Sequence, residues 1–138
     1  MADQPLSLVL FSGTEDKLQA AAVLTAGAAA LGRPVHIFLQ YWALDAFRAD
    51  RVEARRPLSP EAGREGADAV EQMRAAGQQS WAETLRQAKD IGEVDIQACS
   101  LSMDLLRIEA DQLDPIVDGV EGVAAFFVNA GDGQVVFI

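Results

Sequence analysis

The chain opens with a short apolar run that leads directly into an alanine-rich segment. Residues 6–11 are almost continuously apolar and end at Ser12-Gly13, and residues 18–31 are rich in alanine. An apolar run of this length is typical of a strand covered on both faces, as in a parallel sheet. Alanine favours a helix that packs closely on a sheet. Thr14 is the candidate N-cap of this helix and Gly32 the candidate residue that ends it.

Strand and helix patterns continue to alternate along the rest of the chain. After the candidate N-cap Ser80, a helix is predicted from Trp81 to about Asp90. A loop is predicted at residues 40–44, followed by a short helix capped by Asp45. Further strands are predicted at residues 35–39, 94–98, 122–128 and 134–138. This alternation predicts an α/β fold: a three-layer α/β/α sandwich with a mostly parallel sheet of about five strands.

Length and composition favour one domain over residues 1–138, because half of the residues are apolar. Residues 50–79 interrupt the pattern with two prolines and scattered glycines. They are predicted to be an inserted, partly helical excursion that is either a mobile flap or an oligomer contact. Four arginines between Arg48 and Arg56 form a local basic patch. These arginines either dock an acidic partner or another subunit, or pair with neighbouring carboxylates.

The net charge of −10 argues against two classes of partner. A protein that binds nucleic acid needs clustered positive charge to displace phosphate counterions, and an anionic membrane repels an acidic protein. The first residues lack the basic flank and long apolar stretch of a secretory signal, and the apolar run at residues 20–31 is too short to span a bilayer. We therefore expect a cytoplasmic protein that binds neither nucleic acid nor membrane.

Cys99 is the residue with the most distinctive chemical potential. It follows the strand predicted at residues 94–98 and precedes a short predicted helix that Ser100 or Ser102 would cap. The amide groups at a helix start favour the thiolate, which attacks a sulfane-sulfur donor and holds a persulfide. Ser100 and Ser102 would add hydroxyl donors near the sulfur. The alternative is that Cys99 is a small buried apolar residue, as free cysteines commonly are.

Two further loops are predicted to lie near Cys99. In parallel sheets, ligands collect at the carboxyl ends of the strands, so the loops at residues 12–17, 40–44 and 99–102 face one crevice if their strands are neighbours. Ser12 and Gly13 are pocket candidates in the first of these loops.

The remaining pocket candidates each have a structural alternative. Lys17 lies near the sulfur or a bound anion, or is solvated at its helix start. Trp42 lines the crevice or packs at a subunit contact. Asp104 lines the pocket or is a carboxylate that suits the first turn of its helix. His36, the only histidine, lies within a strand pattern and is predicted to be structural rather than a base.

Several familiar chemistries lack the residues that they need. One cysteine and one histidine provide neither a Cys-x-x-Cys pair nor a cluster of metal ligands. Ser12-Gly13-Thr14 lacks the remainder of a phosphate-binding loop. We therefore expect no disulfide, metal or cofactor. Nucleotide or small-molecule binding stays open only because a doubly wound fold allows it.

Three segments carry a resemblance to a known family. The first segment is the strand that leads into residues 12–17, and the second is the strand 35–38 with the aromatic residues that follow it at 41–44. The third is the block Ala98-Cys99-Ser100-Leu101-Ser102-Met103-Asp104-Leu105. All three are similar to DsrE/DsrF/DsrH-like proteins, in particular to the DsrE-like branch labelled peroxiredoxin-like. The chain departs from this pattern at Arg107, where relatives commonly have glycine, and in the basic patch of its middle segment.

The resemblance implies a sulfur-relay function. Cys99 would accept sulfane sulfur as a persulfide from a donor protein and pass it to an acceptor protein, which makes the chain a sulfurtransferase-like sulfur carrier. The resemblance also implies a homo-oligomer, a trimer or a multiple of one. The alternative is a non-catalytic oligomeric binding or assembly module that keeps the fold without the chemistry.

Overall fold

The structure of the protein is a computed structural model that describes residues 4–138. One sheet of five parallel strands has the order β4-β3-β2-β1-β5. The strands are β1 (Leu6–Leu10), β2 (Val35–Leu39), β3 (Val94–Cys99), β4 (Gly119–Glu121) and β5 (Gln134–Phe137). The helices are α1 (Glu15–Ala30), α2 (Tyr41–Ala46), α3 (Gly63–Ala75), α4 (Trp81–Ile91), α5 (Ser100–Leu106) and α6 (Val123–Ala130), with two short 3-10 turns at Pro60–Ala62 and Ala110–Gln112.

The main core lies between the sheet and the helix pair α1 and α4, which pack against each other. Side chains alternate between the two faces of a strand, so Leu8, Ile37 and Ile96, which are partners in the parallel register, share this core. The alanines of α1 allow a close approach to the sheet, as its sequence predicts. The predicted three-layer sandwich is confirmed, and every pairing between the named strands is parallel.

The opposite face of the sheet has a much thinner cover. Phe38 and Cys99 form a small buried cluster with Phe126 of α6, and Val9 packs against it. Only Phe126 and Ala130 of the eight α6 residues are buried. This face also carries polar groups, because His36 and Asp95 are register partners on β2 and β3.

The strand predicted at residues 122–128 is wrong. The fourth strand is β4, which ends at Glu121, and helix α6 begins at Val123. A short apolar run fits either a strand or a helix with one buried side. In the folded chain Phe126 and Ala130, four residues apart, lie on the buried side of a helix.

The loop predicted at residues 40–44 is also wrong, because helix α2 already begins at Tyr41. Asp45 lies inside this helix instead of capping a later one, and its carboxylate pairs with Arg51 at 2.6 Å. By contrast, α4 begins at Trp81 as predicted, and Ser80 accepts the cap hydrogen bond from the Glu83 amide.

The middle segment contains α3, none of whose residues is buried. The arginines of the basic patch pair with carboxylates, which is one of the two outcomes that the sequence allowed. The pairs are Arg48–Asp50, Arg51–Asp45, Arg55–Glu71 and Arg56–Asp45. Arg74 of α3 also pairs with Glu15 of α1, which ties α3 to the body of the protein. Across residues 4–138, no helix is long and apolar enough to cross a membrane.

Candidate functional site

The three loops singled out in the sequence meet at one end of the sheet, because β1, β2 and β3 are neighbours. The Gln40 amide donates to the Leu10 carbonyl at 2.9 Å, and the Ala43 amide donates to the Phe11 carbonyl at 3.0 Å. These bonds bring the end of β2 against the end of β1. The second loop thus packs against the residues that lead into the first loop.

Cys99 is the last residue of β3 and the N-cap of α5. Its predicted position at a strand-to-helix junction is therefore correct. Its side chain is only 4% exposed and belongs to the cluster with Phe38 and Phe126. Of the two alternatives for Cys99, the structure shows the buried thiol. Any reagent must first displace part of this cover to reach the sulfur.

The two serines near Cys99 occupy different environments. Ser100 is exposed at the start of α5. Ser102 is fully buried, and its hydroxyl accepts a hydrogen bond from the Tyr41 amide at 3.0 Å. Neither serine caps α5, because Cys99 holds the N-cap position. Ser102 instead ties α5 to the start of α2.

Gly13 lies where the first loop packs against the second. A Cβ at this position would lie 2.4 Å from the Trp42 carbonyl oxygen, so only glycine fits. The Arg56 Nε donates to the Gly13 carbonyl at 2.5 Å. The Ser12 hydroxyl lies 3.2 Å from that of Thr14. Of the two pocket candidates in the first loop, Gly13 therefore packs against the second loop, whereas the Ser12 hydroxyl bonds within its own loop.

The other three candidates lie at the surface. Lys17 is exposed in the first turn of α1. Trp42 is 52% exposed, and its ring meets that of Tyr41 edge to face. Asp104 is exposed on α5 and lines a shallow cavity of about 430 Å³ with Ser100, Met103, Arg107, Ile108, Glu109 and Val120. This cavity adjoins the helix that Cys99 begins, and Cys99 itself is not among the residues that line it.

Arg107 ends α5 in the left-handed region, with φ of +55°. The Ile108 amide donates to the Met103 carbonyl at 3.0 Å, which closes the helix end. Glycine adopts this conformation without strain. Arg107 thus differs from the glycine expected at this position in its side chain, while its backbone has a conformation that glycine also adopts.

A cluster around His36 is the feature that the sequence did not reveal. The His36 Nε2 lies 2.5 Å from a Glu121 oxygen, and the Nδ1 lies 3.0 Å from an Asp95 oxygen. The second Glu121 oxygen accepts from the side-chain Nδ2 of Asn129, on α6, at 3.2 Å. The prediction that His36 is structural agrees with this arrangement. The sequence alone does not predict that His36 lies beside Asp95, because this depends on the register between β2 and β3.

Two carboxylates hold the His36 ring in place. Each ring nitrogen lies within hydrogen-bond distance of one carboxylate oxygen, the Nε2 of Glu121 and the Nδ1 of Asp95. The carboxylates lie on opposite sides of the ring. Within residues 4–138, no three His, Cys, Asp or Glu side chains are grouped to hold a metal ion.

A larger cavity of about 500 Å³ lies between α1, α3 and α4, on the other face of the sheet from the Cys99 cluster. Its apolar lining includes Val52, Leu58 and Trp81, and its charged lining includes Glu15 and Arg74, which pair with each other. No residue predicted as part of the Cys99 site lines this cavity.

Fold and site together define a parallel α/β sandwich with a single buried cysteine at the end of an inner strand. The chain belongs to the DsrE/DsrF/DrsH-like family, whose sequence profile matches residues 2–64 and 57–138. It is 30% identical over 150 aligned residues to the uncharacterized protein YrkE of Bacillus subtilis (strain 168), covering 94% of this chain and 92% of that one. A solved structure of a protein of unknown function, MTH1491 from Methanobacterium thermoautotrophicum, shares the fold with a TM-score of 0.61 and 14% identity, over 99% of this chain and 100% of that one.

Proposed function

We propose that the protein is a single-cysteine sulfur carrier that holds persulfide sulfur on Cys99 and passes it from a donor protein to an acceptor protein. The family is associated with sulfur relay, and Cys99 is the only cysteine. The observation that carries the proposal is the place of Cys99, at the end of an inner strand and at the first amides of α5. The cytoplasmic location expected from the sequence belongs to this proposal.

The chemistry needs only the thiolate and a sulfane-sulfur donor. The Cys99 thiolate attacks the outer sulfur of a donor persulfide, a new S–S bond forms, and the donor S–S bond breaks. The donor leaves as a thiolate with the electron pair of the broken bond, and the proton of the outer sulfur stays on it. An acceptor thiolate then attacks the same outer sulfur and releases Cys99 as a thiolate. No oxidant or cofactor is consumed.

The burial of Cys99 sets a condition on this proposal. Cys99 is only 4% exposed as a residue and packs against Phe126, so the transfer as proposed requires the cover from α6 to move and admit the donor persulfide. Between transfers, the same apolar cover would slow, without preventing, the reduction of a persulfide by small thiols.

The test is to incubate the protein with glutathione persulfide and measure its intact mass. We expect the wild type to gain the mass of one sulfur atom and to lose it on reduction with dithiothreitol. Cys99→Ser is the control and should gain nothing. The native wild type should also transfer the sulfur to a small acceptor thiol. A wild type that gains no sulfur in the native state, yet gains it in denaturant, would refute the proposal.

A non-catalytic assembly module is the second candidate, and a specific surface favours it. Helix α6 is almost entirely apolar, yet Phe127 and Val128 are 63% and 79% exposed. Phe137 on the edge strand β5 is 67% exposed. A helix that is apolar on all sides is normally buried, and a large exposed apolar patch marks an interaction site. The homo-oligomer expected from the sequence would cover this surface.

Sedimentation velocity distinguishes the two candidates when it is combined with the sulfur assay. The assembly module predicts a multimer that Phe127→Asp converts to a monomer, together with a wild type that takes up no sulfur. The carrier predicts sulfur uptake whatever the subunit number. Gln87→Asp, on the exposed side of α4, is the matched control and should leave the subunit number unchanged.

A further inference from the structure

We infer that α6 is a displaceable cover over Cys99, held closed by a polar latch formed by His36, Asp95, Glu121 and Asn129. In this latch His36 is a positioning residue: it holds Glu121 in place and never touches the sulfur that is transferred. The importance of the cover for sulfur transfer rests on the proposed function, whereas the latch itself rests on the contacts described below.

Few apolar contacts attach the cover to the sheet. Phe126 stacks on Phe38 with the ring centroids 5.1 Å apart, and Phe126 and Ala130 are the only buried residues of α6. A helix of eight residues is too short to be stable without tertiary contacts. The position of α6 therefore depends on one aromatic anchor together with whatever polar contacts accompany it.

The latch supplies the polar contacts. The Asn129 side chain on the cover donates to one Glu121 oxygen at 3.2 Å, and the other Glu121 oxygen lies 2.5 Å from the His36 Nε2. The His36 ring is held from its other side by Asp95 at 3.0 Å, and Asp95 accepts from the Gln97 side-chain Nε2 at 2.8 Å. The connection thus runs from inner strands β2 and β3, through edge strand β4, to the cover. Hydrogen bonds to a carboxylate are stronger than hydrogen bonds between neutral groups.

Both ends of α6 are built to move. Gly122 precedes the helix, and a side chain there would meet only the Ser100 hydroxyl, at 3.9 Å. Gly131 follows the helix with φ of +52°, and a Cβ there would lie in open space. Glycines permit large changes in φ and ψ. The cover can therefore swing away while β4 and β5 keep their places in the sheet.

The first experiment asks whether Cys99 opens locally. Native protein is labelled with iodoacetamide at fixed pH in increasing low concentrations of urea, and the rate of Cys99 alkylation is measured by mass. A cover that opens alone exposes little surface, so the rate should hardly depend on urea. If the rate instead rises with the urea dependence of global unfolding, Cys99 is reached only by unfolding and the inference is wrong.

The second experiment weakens the latch at its exposed end. Asn129→Ala removes the bond to Glu121 and should raise the alkylation rate about ten-fold, as expected for the loss of one hydrogen bond to a charged group. Val128→Ala is the matched control: it changes the neighbouring exposed residue of the same helix, which makes no latch bond. Equal rates in the two variants would overturn the latch.

The third experiment tests the interior of the latch. Glu121→Gln and His36→Gln should each raise the alkylation rate without a matching rise in its urea dependence. Asp118→Asn is the control for general weakening of the β4 region, because Asp118 bonds Lys89 and the Ile96 amide rather than α6. If Asp118→Asn accelerates alkylation as much as Glu121→Gln does, the effect is one of stability and His36 has no positioning role.

The failure of this inference is distinguishable from failure of the proposed function. Local, latch-dependent alkylation in a protein that takes up no sulfur would leave the cover intact and refute the carrier. Sulfur uptake at a rate that none of the latch variants changes would support the carrier and refute the latch.

Discussion

Ser7 places a hydroxyl group in the packed interior of the sheet. It is fully buried on β1, and within the described chain its oxygen has no hydrogen-bond partner. Burying a hydroxyl in this way costs free energy. Ser7→Ala should therefore leave the free energy of unfolding unchanged or raise it by up to about 1 kcal/mol.

Urea unfolding followed by circular dichroism measures this change. Ser102→Ala is the contrasting variant, because the Ser102 hydroxyl is equally buried but accepts from the Tyr41 amide. Its loss should lower the free energy of unfolding by about 1–2 kcal/mol. Similar losses for both serines would show that Ser7 has a partner in solution.

Asp16 links the start of α1 to the middle segment. Burial raises the pKa of this carboxyl, but hydrogen bonds from the Thr14 side chain and from the amide and hydroxyl of Ser59 together hold the pKa below its usual value. A group with a lowered pKa in the folded state stabilises that state above its unfolded pKa. The stabilisation is lost as the pH falls through the folded pKa.

Asp16→Asn should therefore be less stable than the wild type at pH 7, by about 1 kcal/mol. The difference should persist down to about pH 4 and shrink below it, because the wild-type carboxyl then becomes protonated. Chemical denaturation at a series of pH values measures both curves. A difference that does not depend on pH between 7 and 2 would contradict the assigned hydrogen bonds.

At the scale of single elements, the end of α5 makes the sharpest prediction. Arg107 holds a left-handed conformation that costs a residue with a side chain about 1 kcal/mol, whereas glycine adopts it freely. Arg107→Gly should raise the thermal midpoint slightly or leave it unchanged. Gln87→Gly, in the interior of α4, should lower the free energy of unfolding by about 1 kcal/mol because its backbone is helical. Thermal and urea unfolding of both variants measure these changes. If the two variants lose equal free energy of unfolding, the Arg107 side chain makes a stabilising contact.

At the scale of the whole molecule, the two faces of the sheet differ in stability. The α1 and α4 face holds the main core, whereas the α6 face is covered by one short helix. Hydrogen exchange measured by mass spectrometry should find the amides of β1, β2 and β3 most protected. The amides of β4 and α6 should exchange earlier, because local opening is cheapest where few apolar contacts must be broken. Uniform exchange of all elements would argue against a separate mobile cover.

The elements that could be predicted from the sequence are those with strong local signals. The run at 6–11 predicts β1 because a short apolar run that ends at turn residues and leads into a helix is typical of a strand in a parallel sheet. Ser80 predicts the start of α4 because a serine hydroxyl satisfies the free amides of a first turn. The strand prediction for residues 122–128 is wrong because the apolar residues there are continuous. Their spacing therefore does not distinguish a strand from a helix.

The sequence by itself determined the family, the layered α/β fold and the position of Cys99 at a strand-to-helix junction, since each of these follows from neighbouring residues. Only the tertiary structure decided that Cys99 is buried and that His36 pairs with Asp95 and Glu121. The reason is physical: burial and ion pairing depend on the strand register and on the return of α6 across the sheet. His36 and Glu121, for example, are 85 positions apart along the chain.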